Sequence, residues 1–248
     1  MAPTANLVMH SIQSIAFACL ILPLVATPRA AADGLITQLP DDGSWAEFEL
    51  KLTLTKNDEK REHSAYLRLS SVGQVEHQGT KCRWVELQVS RTEPTQPDEV
   101  AKILVPEESL KSGKVTVANL IRGWSKPGDD EPAELEKDQP RLKIGPLAML
   151  LSGSSSDSQK SEKEEVKVEG LGSLACEKSV SKHDLPMSPS DNLPADFTLW
   201  RHSKASFGTV KLRIHLIDKR PDQERDGVFE AVLVKSGKDA KSALPDRR

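Results

Sequence analysis

The chain has 248 residues, of which 37% are hydrophobic and 29% charged, with a formal net charge of −3 and few aromatics (four Trp, one Tyr, five Phe). That balance excludes a polybasic nucleic-acid binder and a surface drawn to anionic membranes. It leaves apolar material for one modest core rather than two large ones.

Taken in chain order, Ile15–Val25 is an uncharged apolar run too short for a membrane span, followed by Ala30-Ala31-Ala32 ahead of Asp33. An apolar run of that length closed by an Ala-x-Ala site is the pattern of a secretory signal peptide, here residues 1–32. A lipid anchor is disfavoured, because Cys19 sits mid-run and Phe17 occupies a position that needs a small residue. The expected mature chain is therefore exported, to the periplasm or outside the cell, with no transmembrane segment. Removing the one charged leader residue, Arg29, leaves 33 Lys and Arg against 37 Asp and Glu, a net charge of −4.

From Trp45 the pattern has period two. Phe48, Leu50, Leu52 and Leu54 alternate with Glu47, Glu49, Lys51 and Thr53, as in a half-buried strand. Ala65–Ser70, Cys82–Val89 and Val100–Val105 read as three more strands, the last stopped by Pro106. Pro106-Glu107-Glu108 suits a first helical turn. Val117, Leu120, Ile121 and Trp124 then recur at helical spacing, predicting a second short helix with one apolar stripe. Gly145–Leu151 reads as a further helical piece opened by Pro146. Period two returns in Val166–Val168, Leu174–Val180, Asp196–Arg201, Thr209–Ile217 and Val228–Val234, the last two joined through a hairpin turn at Asp226-Gly227. Ser125–Gln139 and Gly153–Glu165 lack large apolar residues almost entirely, predicting mobile loops at 125–139 and 153–165. Residues 239–248 read as a flexible tail on a single domain, 33–238.

The expected fold class is α+β, mainly β: a strongly curved antiparallel half-barrel of about nine strands, with short helices inserted between strands four and five. That order resembles the lipoprotein-carrier superfamily, the half-barrel of exported outer-membrane lipoprotein carriers, over most of the mature chain. Gly79–Leu87 (GTKCRWVEL) and Ala205–Leu212 (ASFGTVKL) are similar to exported bacterial proteins of this organisation. The resemblance implies an apolar or amphipathic ligand, lipid or lipoprotein, held in the concave face. Leu50, Leu52, Val210 and Leu212 would form its floor, with Leu120, Ile121 and Trp124 as its cover.

The alternative is a cell-envelope interaction module, its concavity filled by its own side chains and its strand edges meeting an envelope protein. Trp84 and Trp200 either line a groove or cover the back of the sheet. Cys82 and Cys176 are expected to form a disulfide in an oxidising compartment, the competing reading being two separate buried thiols.

Nothing in the sequence points to catalysis. No Gly-x-Ser-x-Gly elbow occurs, and Gly73 and Gly79 are misspaced for a phosphate loop. Asp222–Gly227 begins like a calcium loop, but Leu233 stands where a bidentate Glu is required. His63, His77, His183, His202 and His215 form no ligand pair at metal spacing. The expectation is a non-enzyme without metal or cofactor.

Overall fold

The computed structural model describes residues 34–56, 59–91, 99–108, 120–135, 159–188, 191–218 and 225–244. The expected leader, the helical piece at Gly145–Leu151 and His183's side chain lie outside the described parts.

Among the described residues, eleven strands form one sheet: β1 Ser44–Lys56, β2 Glu59–His77, β3 Thr80–Ser90, β4 Glu99–Pro106, β5 Arg122–Pro127, β6 Ala133–Glu134, β7 Gln159–Val168, β8 Gly172–Ser188, β9 Asp191–Arg201, β10 Thr209–Asp218 and β11 Arg225–Lys238. Their spatial order is β6-β5-β4-β3-β2-β1-β11-β10-β9-β8-β7, every pair antiparallel. The meander is interrupted once, where the last strand β11 inserts beside the first, β1. Eleven twisted strands cannot stay flat, and among the described residues the sheet is open, with β6 and β7 at its edges.

This corrects the α+β expectation. Among the described residues the fold is all-β, and the only helical residues are Glu107 and Glu108. The stripe read as a helix through Trp124 ends in a strand, because Leu120 and Ile121 lead directly into β5. Gly123 supplies the reason. A Cβ there would lie 2.8 Å from Leu135 Cδ1 and 2.9 Å from the Lys102 carbonyl, so a bare backbone lets β5 pair with β4 beneath Leu135. Glycine is also the weakest ordinary helix former, which helps to defeat the 3.6-residue pattern.

Two hydrophilic segments are also partly strand. Ser125–Pro127 closes β5, and Ala133–Glu134 is β6, with Leu135 buried after it. Gln159–Glu165 belongs to β7, held by cross-strand charge complementarity rather than by apolar burial. Lys178 on β8 bonds Glu162 at 2.8 Å and Glu164 at 2.9 Å. The same contacts draw the Glu164 carboxyl below the usual carboxylate range and push the Lys178 ammonium above the usual lysine range. The Glu164 contribution is therefore present at neutral pH and lost as pH falls through its lowered pKa. The Lys178 contribution is present at neutral pH and lost as pH rises through its raised pKa. The expected result is that β7 amide protection is greatest around neutral pH, falls at both extremes, and weakens with salt. Hydrogen exchange of β7 against pH and ionic strength measures this.

Candidate ligand-binding face

Antiparallel register stacks the apolar members of the alternation into rows across the sheet. Leu50 opposes Ala231, which opposes Leu212, which opposes Leu199. One step along lie Leu52, Phe229, Ile214 and Phe197, and beyond them Leu54, Gly227, Leu216 and Ala195. On the other half of the sheet the same face carries Leu67, Leu69, Val85, Leu87, Ala101 and Ile103, all fully buried. These residues belong to one apolar cluster, which makes this the inner face of the curled sheet.

The inner face is closed at one end and apolar at its rim on the other. At the closed end, residues 34–38 cross the sheet as a strap: Ile36 bridges Gly208, and the Thr37 N–H donates to the Phe207 carbonyl at 2.9 Å. Leu35 and Ile36 are thereby buried among core residues that include Phe48, Phe207 and Val210. The Thr209 hydroxyl donates to the Gly34 carbonyl at 3.0 Å and fixes the strap further. At the opposite end burial fades along β1: Leu50 is 6% exposed, Leu52 is half-buried, and Leu54 reaches 38%. Leu216 on β10 is half-buried as well. Between them Gly227 has no side chain, so Leu54 Cδ2 and Leu216 Cβ both come within 4 Å of where its Cβ would stand. Leu52, Leu54 and Leu216 thus form an apolar rim continuous with the core.

The structure distributes the expected site residues unevenly. Leu50, Leu52, Val210 and Leu212 share the inner face, and Leu120 packs against the same cluster. Ile121 is half-buried and donates its N–H to the Leu104 carbonyl at 3.1 Å, as a lead into β5. Trp124 is elsewhere. It points to the outer face, where its ring lies 5.2 Å from that of Trp84 and it packs with Val100 and Leu244. Trp200 belongs to the main apolar cluster, with Lys211 Nζ 5.0 Å and Lys178 Nζ 5.7 Å from its ring. The strap leaves no periodic mark in the sequence of Gly34–Gln38. Its signal was the exposed-looking pair Leu35-Ile36, stranded before the first strand.

Cys82 and Cys176 are free and buried, not bridged. They lie on β3 and β8, six strand steps apart along the sheet, or about 29 Å at the usual inter-strand spacing. Burial pushes both thiols above the usual cysteine range, and Cys82 directs its Sγ to the Thr80 carbonyl at 3.3 Å. Both thiols should resist a thiol reagent in the native protein and both should titrate after denaturation without reductant. A thiol count with Ellman's reagent before and after guanidinium checks this.

Among the described residues no group of three or more His, Cys, Asp or Glu is placed to hold a metal ion. No described helix is long and apolar enough to cross a membrane.

The class this geometry defines is an open, curled, all-antiparallel sheet with an apolar inner face. No family model matches the chain, and no curated protein does. Solved structures that resemble it include an exported protein with a YmcC-like fold from Bacteroides fragilis, 10% identical, with a TM-score of 0.38 over 82% of this chain and 99% of that one. An outer-membrane lipoprotein-sorting protein domain from Vibrio parahaemolyticus is 11% identical, with a TM-score of 0.31 over 82% of this chain and 87% of that one. A LolA superfamily protein from Nitrosomonas europaea is also 11% identical, at 0.28 over 86% and 92%. These proteins are of the kind the sequence resembles, and at TM-scores below 0.5 the likeness carries nothing further about this chain.

Proposed function

We propose that this is an exported, non-enzymatic protein that binds an apolar or amphipathic ligand, a lipid or the acylated part of a lipoprotein, along the inner face of its sheet. The observation that carries this is the graded rim. Leu52, Leu54 and Leu216 extend the core's apolar surface outward, where a sheet closed only for stability would turn polar. An acyl chain laid against Leu52, Leu54 and Leu216 would gain about 25 cal/mol for each Å² of apolar surface removed from water. The floor is made of strands, so it is rigid, and a long flexible chain can adapt to it.

Titration with a fluorescent fatty acid tests the proposal. Leu54→Asp with Leu216→Asp should weaken uptake by about tenfold or more, since a charge at the mouth opposes transfer of an alkyl chain past it. Both residues are partly exposed, so the fold should survive the change. Unchanged uptake in the folded double variant would refute this route of entry.

A second reading has a specific observation behind it. Leu35 and Ile36 fill the closed end with the protein's own side chains, as an envelope interaction module with a packed interior would require. On that reading the wild-type protein takes up no probe.

A further inference from the structure

On the outer face of β3–β5, residues Ser242–Leu244 of this same chain are seated on buried polar and aromatic groups. Glu86 and Lys102 are cross-strand partners there, 0% and 1% exposed. The Glu86 carboxylate accepts the Ala243 N–H at 3.0 Å, the Leu244 N–H at 3.2 Å and the Ser242 hydroxyl at 2.8 Å. It also accepts Gln88 Nε2 at 2.7 Å. Lys102 Nζ donates to Ser242 Oγ at 2.9 Å and to the Leu244 carbonyl at 3.4 Å. The Leu244 side chain, 4% exposed, is seated on Val100 and Trp124, with Trp84 beside them.

We propose that this is a peptide-binding site for an extended segment carrying a hydroxyl residue two positions before an aliphatic one, and that Ser242–Leu244 fills it as an exchangeable resident. The recognition set explains the specificity. A buried carboxylate reads two successive backbone N–H groups, an ammonium reads a hydroxyl and a carbonyl, and paired indoles hold one branched side chain. Every one of those features can be supplied by a partner peptide.

Exchange is feasible because the resident belongs to no strand. It is tethered upstream by the Asp239 and Ala240 N–H groups on the Gly43 carbonyl, both at 2.8 Å, and by Trp45 Nε1 on the Asp239 carboxylate at 2.6 Å. When it leaves, Glu86 and Lys102, opposite each other on β3 and β4, regain water, so no charge is stranded in an apolar site. The tether gives the resident a high effective concentration, so a free peptide competes only once the resident is weakened.

The test uses the full chain with Leu244→Asp and a fluorescein-labelled peptide of residues 239–246, followed by fluorescence anisotropy. The variant should bind the peptide about tenfold or more tightly than the unaltered protein does, and adding Glu86→Gln should remove about tenfold of that. Equal binding by both proteins, or binding indifferent to Glu86, would overturn the proposal. Should Leu244→Asp fail to fold, hydrogen exchange of the unaltered protein decides. The Ala243 and Leu244 amides should exchange about a hundredfold or more faster than those of β3 and β4, and equal protection would overturn an exchangeable resident. Dimerisation by swapping 239–244 between copies would assign the site to a second copy and overturn the partner-peptide reading.

Discussion

Phe48→Ala is expected to lower stability by about 3–5 kcal/mol, the range for an aromatic deleted from a closed core. Phe48 is fully buried and opposes Leu233 on one side and Leu67 on the other, so it joins the two halves of the sheet where β11 inserts beside β1. Urea unfolding followed by Trp fluorescence should give a lower midpoint with an unchanged slope. A loss under about 1 kcal/mol would mean that the two halves do not share one core.

Gly208→Val should cost at least as much by a different route, about 4–9 kcal/mol if the strap lifts wholly. Gly208 has φ +85°, where a β-branched residue is strained by about 1–3 kcal/mol, and a Cβ would overlap Thr37 Oγ1 and press Gln38 Cγ. Relief requires the strap to lift, which returns Leu35 and Ile36 to water at about 1.5–3 kcal/mol each if their burial is wholly lost. The variant should also bind more of an apolar dye, because the closed end of the inner face is uncovered. Limited proteolysis within 34–38 should accelerate in parallel. Proteolysis at the wild-type rate would show that the strap does not close that end.

These effects separate what the sequence displayed from what it concealed. Every period-two run from Phe48 to Val234 lies in a strand, because one buried face imposes alternation directly on residue type. Phe48, Leu50, Val210 and Leu212 were therefore legible as one face before any pairing was known. The insertion of β11 beside β1 left no local mark, since it rests on contacts nearly two hundred residues apart. β5 was hidden because Leu120, Ile121 and Trp124 satisfy helical spacing by coincidence, and only Gly123 under Leu135 reveals the strand. β7 was hidden because Glu162, Glu164 and Lys178 stabilise pairing by charge, which composition alone reads as solvated chain. The segment at Ser242–Leu244 was read as tail for the same reason: one leucine among polar residues gives no sign that Glu86 and Lys102 wait for it.

The two proposals together put two binding surfaces on one sheet. The inner face offers apolar area without hydrogen-bonding direction, which suits a lipid chain. The outer face at β3–β5 offers direction through Glu86 and Lys102, which suits a peptide backbone.

Whether the inner face takes an apolar ligand is read from the native mass of the protein purified without detergent from its own envelope. A bound ligand should raise the mass above that of the polypeptide, with the excess extractable into organic solvent and absent from the Leu54→Asp, Leu216→Asp variant. A bare polypeptide mass, from a protein that also takes up no fluorescent fatty acid, would contradict it.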